Sequence, residues 1–243
     1  MQKFIVYGAP RTGSHYLQSL INSHPAVTCV WDIFWGGGET EYCLNTYLAK
    51  QNLSRVPRFI GRKRVLSSYL TDFYRRFPGA EAAGFLLKWS TAVRQPYVLE
   101  WFRTHDVKVV HIVRDNSLIH QVALQLRRSG AVTSHSRAEI EFSKVRLDPD
   151  QIVSRLRASR RALHRHRRRH SALDALEIQY ESFLGDEAAS ARRVLEFLNI
   201  EVAAGLTSEF KKTESESPAE MIENYDEIRR ALAGTEFSKF LSE

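Results

Sequence analysis

The chain is poor in the features that mark several protein classes. It has two cysteines, Cys29 and Cys43, in no metal-ligand spacing, which removes a disulfide scaffold and a zinc ribbon and implies a reduced, cytosolic setting. No segment approaches the ~20 apolar residues of a membrane span. Met1-Gln2-Lys3 runs straight into Phe4-Ile5-Val6-Tyr7, without the charged region and cleavage site of a signal peptide. There is no zinc-finger spacing and no aromatic-basic RNA-binding signature, so no nucleic-acid partner is expected. The most informative gap lies in "FIVYGAPRTGSHYLQSLINSHP": Gly8 and Gly13 have phosphate-loop spacing, yet Ser14 and His15 stand where lysine and the magnesium-binding Ser/Thr belong.

What is present suits one α/β domain. The 243 residues are 43% hydrophobic and 26% charged, with a formal charge of +7. Much of that charge sits in Arg155–His170, where Ile152, Leu156, Ser159 and Leu163 form a narrow stripe at helical spacing. The stretch reads as a solvated helix packed by one face or as an anion-binding surface.

Short apolar runs at 3–8, "AVTCV", "GFLLKW" (84–89), "VKVVHIV" (107–113) and "ALEIQY", ending at Tyr180, are strand candidates. Helical patterns fall between them at 14–23, in "RVLSSYLTDFYRRF", "YVLEWFRTH" and "EAASARRVLEFLNI", and a last helix runs through "MIENYDEIRRAL". The alternation predicts a P-loop-like three-layer α/β sandwich with a mainly parallel central sheet flanked by helices. Its domain is 1–243.

A strand, a glycine turn and a helix direct backbone N–H groups at an anion. Arg11, Thr12 and Ser14 add donors suited to an oxyanion. "VKVVHIVRD" is a buried-strand run that stops abruptly in Arg114, which the carboxyl-edge rule brings toward the same crevice. A guanidinium there suits a second phosphate, or else pairs with Asp115 at the surface.

These residues resemble the bacterial sulfotransferases that use 3′-phosphoadenosine 5′-phosphosulfate (PAPS), particularly those that modify carbohydrates. "GAPRTGSHYLQSLINSHP" is similar to the family's 5′-phosphosulfate loop, "HIVRDNSLIHQVA" to its 3′-phosphate strand and helix, and "IQYESFLGD" to its Tyr-Glu strand end. "ENYDEIRRALAGTEFSKFL" resembles its C-terminal stretch. The resemblance leaves out roughly 36–83, which it implies is an acceptor-specific insertion. It implies that PAPS is the donor, that PAP is the product and that no metal takes part. Arg11 would neutralise the bridging oxygen, Thr12, Gly13, Ser14 and His15 would hold the 5′-phosphate, and Arg114 would hold the 3′-phosphate, with Tyr180 near the nucleotide. Two departures stand out. Val122 occupies the place of the family's 3′-phosphate serine, with Ser117 and Ser129 off register. The basic C-terminal loop is missing, with Lys211 and Lys212 as substitutes.

Transfer to an alcohol needs a base. The resemblance puts Asp32 in that place, flanked by Trp31, Phe34 and Trp35, which would desolvate it and meet a hydroxyl-bearing acceptor such as a sugar, glycolipid or small metabolite. The other reading of Asp32 is a turn cap, with His15 and His111 as alternative bases. The competing functions are a magnesium-dependent small-molecule kinase and a non-catalytic nucleotide- or polyanion-binding protein.

Overall fold

The structure is a computed structural model that describes residues 1–34, 41–53, 62–129, 144–203, 205–210 and 217–241. In chain order its elements are β1 (Gln2–Gly8), α1 (Ser14–Asn22), β2 (Val27–Val30), α2 (Leu44–Lys50), α3 (Arg62–Arg75), β3 (Ala82–Lys88), α4 (Trp89–Arg94) and α5 (Pro96–Thr104). There follow β4 (Lys108–Val113), α6 (Ser117–Arg128), α7 (Pro149–Arg169), β5 (Ala175–Gln179), α8 (Tyr180–Gly185), α9 (Glu187–Phe197), α10 (Pro218–Met221), α11 (Tyr225–Leu232) and a 3₁₀ turn at Ser238–Leu241.

The five strands form one sheet in the order β2-β3-β1-β4-β5, with every pairing parallel. β1 is central and both its faces are covered, which is why Phe4-Ile5-Val6-Tyr7 is a continuous apolar run instead of an alternating one. Phe4 and Val6 face Leu17, Leu20 and Ile21 of α1. Ile5 and Tyr7 face the other layer, with Leu70 and Phe73 of α3 and Val98 and Phe102 of α5.

These two layers create the crevice. After β1 the chain folds onto one face of the sheet, and after β3 onto the other. Neighbouring strands whose connections part in this way open a cleft at their carboxyl ends. Gly8 and Lys88 are register partners at that point.

Two sequence expectations need correction. Two strands end one residue early, because Trp89 and Tyr180 each open a short helix. The expected helix through 221–232 is broken. Ile222 leaves it to bridge Val145, with Val145 N donating to Met221 O at 2.9 Å and Glu223 N to Val145 O at 3.0 Å. Asn224 then holds Leu147 through both its amide atoms, so the chain exchanges one helical turn for a tie to the segment before α7. Within 36–83, α3 is the crossover from β2 to β3, and Leu66, Tyr69, Leu70, Phe73 and Tyr74 are core residues. That helix packs on the sheet.

A third apolar cluster joins α6, α7, α11 and the 3₁₀ turn through Leu118, Val122, Ile152, Leu156, Ile228 and Phe240. Ile152 and Leu156 anchor the expected stripe of α7, while Ser159 and Leu163 are half-buried. The stripe continues into two buried histidines, His166 and His170, which periodicity in apolar residues alone does not reveal.

Candidate active site

The loop after β1 is built to face an anion. Arg11 (φ 66°) and Gly13 (φ 80°) both adopt the left-handed conformation, a backbone arrangement that turns successive amides toward one point. α1 starts at Ser14 with no acidic residue in its first turn, and its first amides have no acceptor inside the helix. Thr12 departs from expectation. Its hydroxyl donates to Ala9 O at 2.8 Å and closes the loop on itself, leaving its backbone N–H to meet an oxyanion. From α6, His120 Nε2 donates to Pro10 O at 2.9 Å, and burial lowers its pKa and keeps the ring neutral.

Arg114 joins this loop from the end of β4. Its Nη1 donates to Arg11 O at 3.3 Å, and its guanidinium lies 4.6 Å from the Tyr180 ring centroid. That ring fills the space beside Gly13, where an added Cβ would come within 2.5 Å of it. Glycine is therefore required twice, by φ and by the aromatic neighbour. Glu181 accepts from Asp115 N at 3.2 Å and Asn116 N at 3.0 Å, and Asn116 Oδ1 accepts from Ile119 N to cap α6. Arg114 does not pair with Asp115, which is exposed. No carboxylate among the described residues forms a salt bridge with Arg11 or Arg114.

Burial lowers the pKa of both arginines, and for Arg11 the nearby Arg114 adds to the effect. Each charge is thus held in an environment that an anion would relieve. Two enclosed polar atoms beside them, Arg114 Nε and Ser117 Oγ, have no hydrogen-bond partner among the described residues. Val122 is fully buried in the third cluster, so it takes no part.

The opposite wall of the crevice holds Asp32, just past β2. Its side chain is 6% exposed, with Oδ2 3.5 Å from Lys88 Nζ and Oδ1 accepting from Phe34 N at 3.0 Å. Burial raises its pKa against the pull of Lys88 and Arg94. Asp32 thus caps a turn and is also a desolvated carboxylate facing a cation. Lys88 is the residue that sequence reasoning missed. It ends β3, which lies between β2 and β1, as the register partner of Gly8 at the start of the loop.

The aromatic residues divide. Trp31 is 41% exposed and lies 5.0 Å from the His15 ring, with Phe210 6.5 Å from Trp31 and 6.3 Å from His15. Phe34 turns to the core, edge-on to Tyr69 and Phe85. Trp35, Lys211 and Lys212 lie outside the described residues. His111 is wholly buried on the far side of Tyr7, hydrogen-bonded to His170 at 2.9 Å, and has no access to the crevice. Among the described residues no group of three or more His, Cys, Asp or Glu is arranged to hold a metal ion.

Comparison with known proteins follows this geometry. Residues 3–204 match the family described as "Sulfotransferase family". The chain is 27% identical over 248 residues to Nodulation protein H of Rhizobium tropici, spanning 98% of this chain and 92% of that protein. Two solved structures share the fold. The sulfotransferase domain from the curacin biosynthetic pathway gives a TM-score of 0.53 at 13% identity, covering 88% of this chain and 79% of that one. The sulfotransferase domain from the Synechococcus PCC 7002 olefin synthase gives 0.50 at 14% identity, covering 88% and 78%.

Proposed function

The chain belongs to the sulfotransferase family, and from that premise we propose that it sulfates a hydroxyl of a carbohydrate, glycolipid or small metabolite, with Asp32 as base. When bound, PAPS supplies the sulfuryl group. The chain's own residues fit the donor: two arginines without carboxylate partners among the described residues, a loop of converging amides, and the enclosed Arg114 Nε and Ser117 Oγ, which have no hydrogen-bond partner among those residues.

The loop amides of Thr12, Gly13 and Ser14 and the first turn of α1, including His15, hold the 5′-phosphate end. Arg11 and Lys88 offset negative charge as it grows on the bridging oxygen, an effect exerted chiefly in the transition state. Arg114 holds the 3′-phosphate through its fork. The Ser117 hydroxyl, on the first residue of α6, provides the oxyanion contact that Val122 cannot. Tyr180 fixes the guanidinium from below by cation–π stacking.

Asp32 takes the acceptor proton. One observation carries this assignment: the carboxyl is almost fully enclosed and raised in pKa, and it lies 3.5 Å from the ammonium of Lys88, the residue in register with Gly8. Trp31, exposed at the rim beside His15 and Phe210, offers a ring face to a sugar or another flat acceptor.

The test is transfer from PAPS to a panel of sugar, glycolipid and small-alcohol acceptors, read by mass spectrometry of the products. An O-sulfated product from at least one hydroxyl class is expected. Sulfation confined to amines, or PAPS hydrolysis with no acceptor product across the panel, would overturn the acceptor assignment.

A further inference from the structure

The charge of this protein is not spread over its surface. Eight of the 35 basic residues and one of the 28 acidic residues lie in α7, so the helix carries +7, the formal charge of the whole chain. The remaining 27 of each sign cancel.

Within α7 the arginines divide by partner. Arg157 and Arg160 meet Glu236, and Arg167 binds Glu177. Arg161, Arg165, Arg168 and Arg169 are exposed and make no ion pair among the described residues. Helical spacing puts Arg157, Arg161, His164, Arg165 and Arg168 on one line, opposite the buried line of Ile152, Leu156, His166 and His170. That line is straight and roughly 16 Å long. It lies on the outer side of a helix whose inner side is packed, so it is a convex row of cations and not a cleft for a small ligand.

We propose that this row docks the protein on an anionic phospholipid surface. Two features favour lipid over a nucleic-acid strand. From Arg155 to His170 the helix has no Phe, Tyr or Trp to stack on a base and no Asn or Gln to read one. Trp89 stacks on His166, on the packed side of α7, at 4.3 Å, and Val93 follows one turn later on the same face of α4, so these side chains border the helix and are not on its line of cations. Val93 is 50% exposed and Tyr97 is 45% exposed, with exposed Arg94 between them. A rim of apolar, aromatic and basic side chains suits the headgroup boundary of a bilayer, and a phosphate backbone has no use for the valine. Among the described residues no helix is long and apolar enough to cross a membrane, so attachment would be peripheral and salt-sensitive.

The experiment is flotation of the full chain with phosphatidylcholine vesicles, with or without about 30 mol% phosphatidylglycerol. Binding is expected only to the anionic vesicles and is lost as salt rises. The triple variant R161Q/R165Q/R168Q should partition more than tenfold less well, while keeping its affinity for PAP, a readout independent of lipid. V93S/Y97S should lose severalfold. The proposal is overturned if the parent ignores anionic vesicles, if the triple variant binds like the parent, or if binding is indifferent to salt. It is also overturned if a duplex DNA binds more tightly than the vesicles with the same dependence on these arginines.

Discussion

Two arginines flank the β4–β5 pair, and they are treated in opposite ways. Arg167 forms a two-pronged contact with Glu177, at 2.6 and 2.7 Å, and the pairing raises its pKa. Arg114, just past the end of β4, has a carboxylate within reach in Glu181, but that carboxylate is occupied by the backbone amides of residues 115 and 116. Burial lowers the pKa of Arg114, and its Nε bonds to nothing among the described residues. The charge of the first arginine is met by its own carboxylate. The second is left with its charge open to something else. Burying a cation without a countercharge is costly, so such a position marks the site, whereas an arginine met by a carboxylate of its own marks the scaffold.

The sharpest break between the regions should come from Asp32→Asn. Turnover should fall by roughly 10²–10⁴-fold, the usual worth of a positioned base, with PAP affinity and unfolding midpoint nearly unchanged. The amide can still accept from Phe34 N, as Oδ1 does now. Because burial raises the Asp32 pKa, the parent's acid limb in kcat should lie above the ordinary carboxylate range near 4 and vanish in the variant. Normal turnover would reduce Asp32 to its turn-capping role.

Gly13→Ala should touch both regions. A Cβ at φ 80° is strained, and its position is 2.5 Å from the Tyr180 ring. A loss of roughly 2–4 kcal/mol in stability is expected, with weaker PAP binding as Tyr180 and Arg114 move. Denaturant unfolding beside PAP titration measures both, and an undisturbed variant would remove Tyr180 from its supporting place.

The sequence showed the site better than the scaffold, for a physical reason. Gly8 to Gly13 and Arg114 are written in local patterns: a glycine spacing, and a cation that halts an apolar strand. The same second signal stands in "GFLLK", where Lys88 halts β3, but Trp89 masks it by prolonging the apolar run. The buried histidines are different. The side chain of His166 is fixed by Tyr7 Oη at its Nδ1 and by the Trp89 ring, partners distant in sequence. No local pattern shows that histidines in a run of arginines face inward. The break between α10 and α11 is equally hidden, since Val145 competes for Ile222 across the chain.

The scaffold region should respond to acid instead of to ligand. Burial holds His166 and His170 down to about 4, whereas in an unfolded chain histidine titrates near 6.5. The unfolded state therefore binds the protons first. The stability of the neutral pair is fully present above about 6.5 and is lost as pH falls toward about 4. Thermal midpoints at pH 7.5 and 5 should differ, and His166→Asn with His170→Asn should flatten the difference. A pH-independent midpoint in the parent would contradict the burial of these rings as neutral groups.

The smallest effect belongs to Arg167→Ala. Its pair with Glu177 is about one-third exposed on both sides, so roughly 0–1 kcal/mol of stability should be lost. PAP affinity should not change.

Isothermal calorimetry of Arg114→Ala with PAP and with AMP tests the division between the two arginines most directly. The account predicts that PAP binding weakens by roughly 1.5–3 kcal/mol, the worth of a charge-assisted contact. AMP, which lacks the 3′-phosphate, should bind variant and parent alike. Equal losses for both ligands, or no loss for either, would contradict the claim that Arg114 is held in readiness for that phosphate.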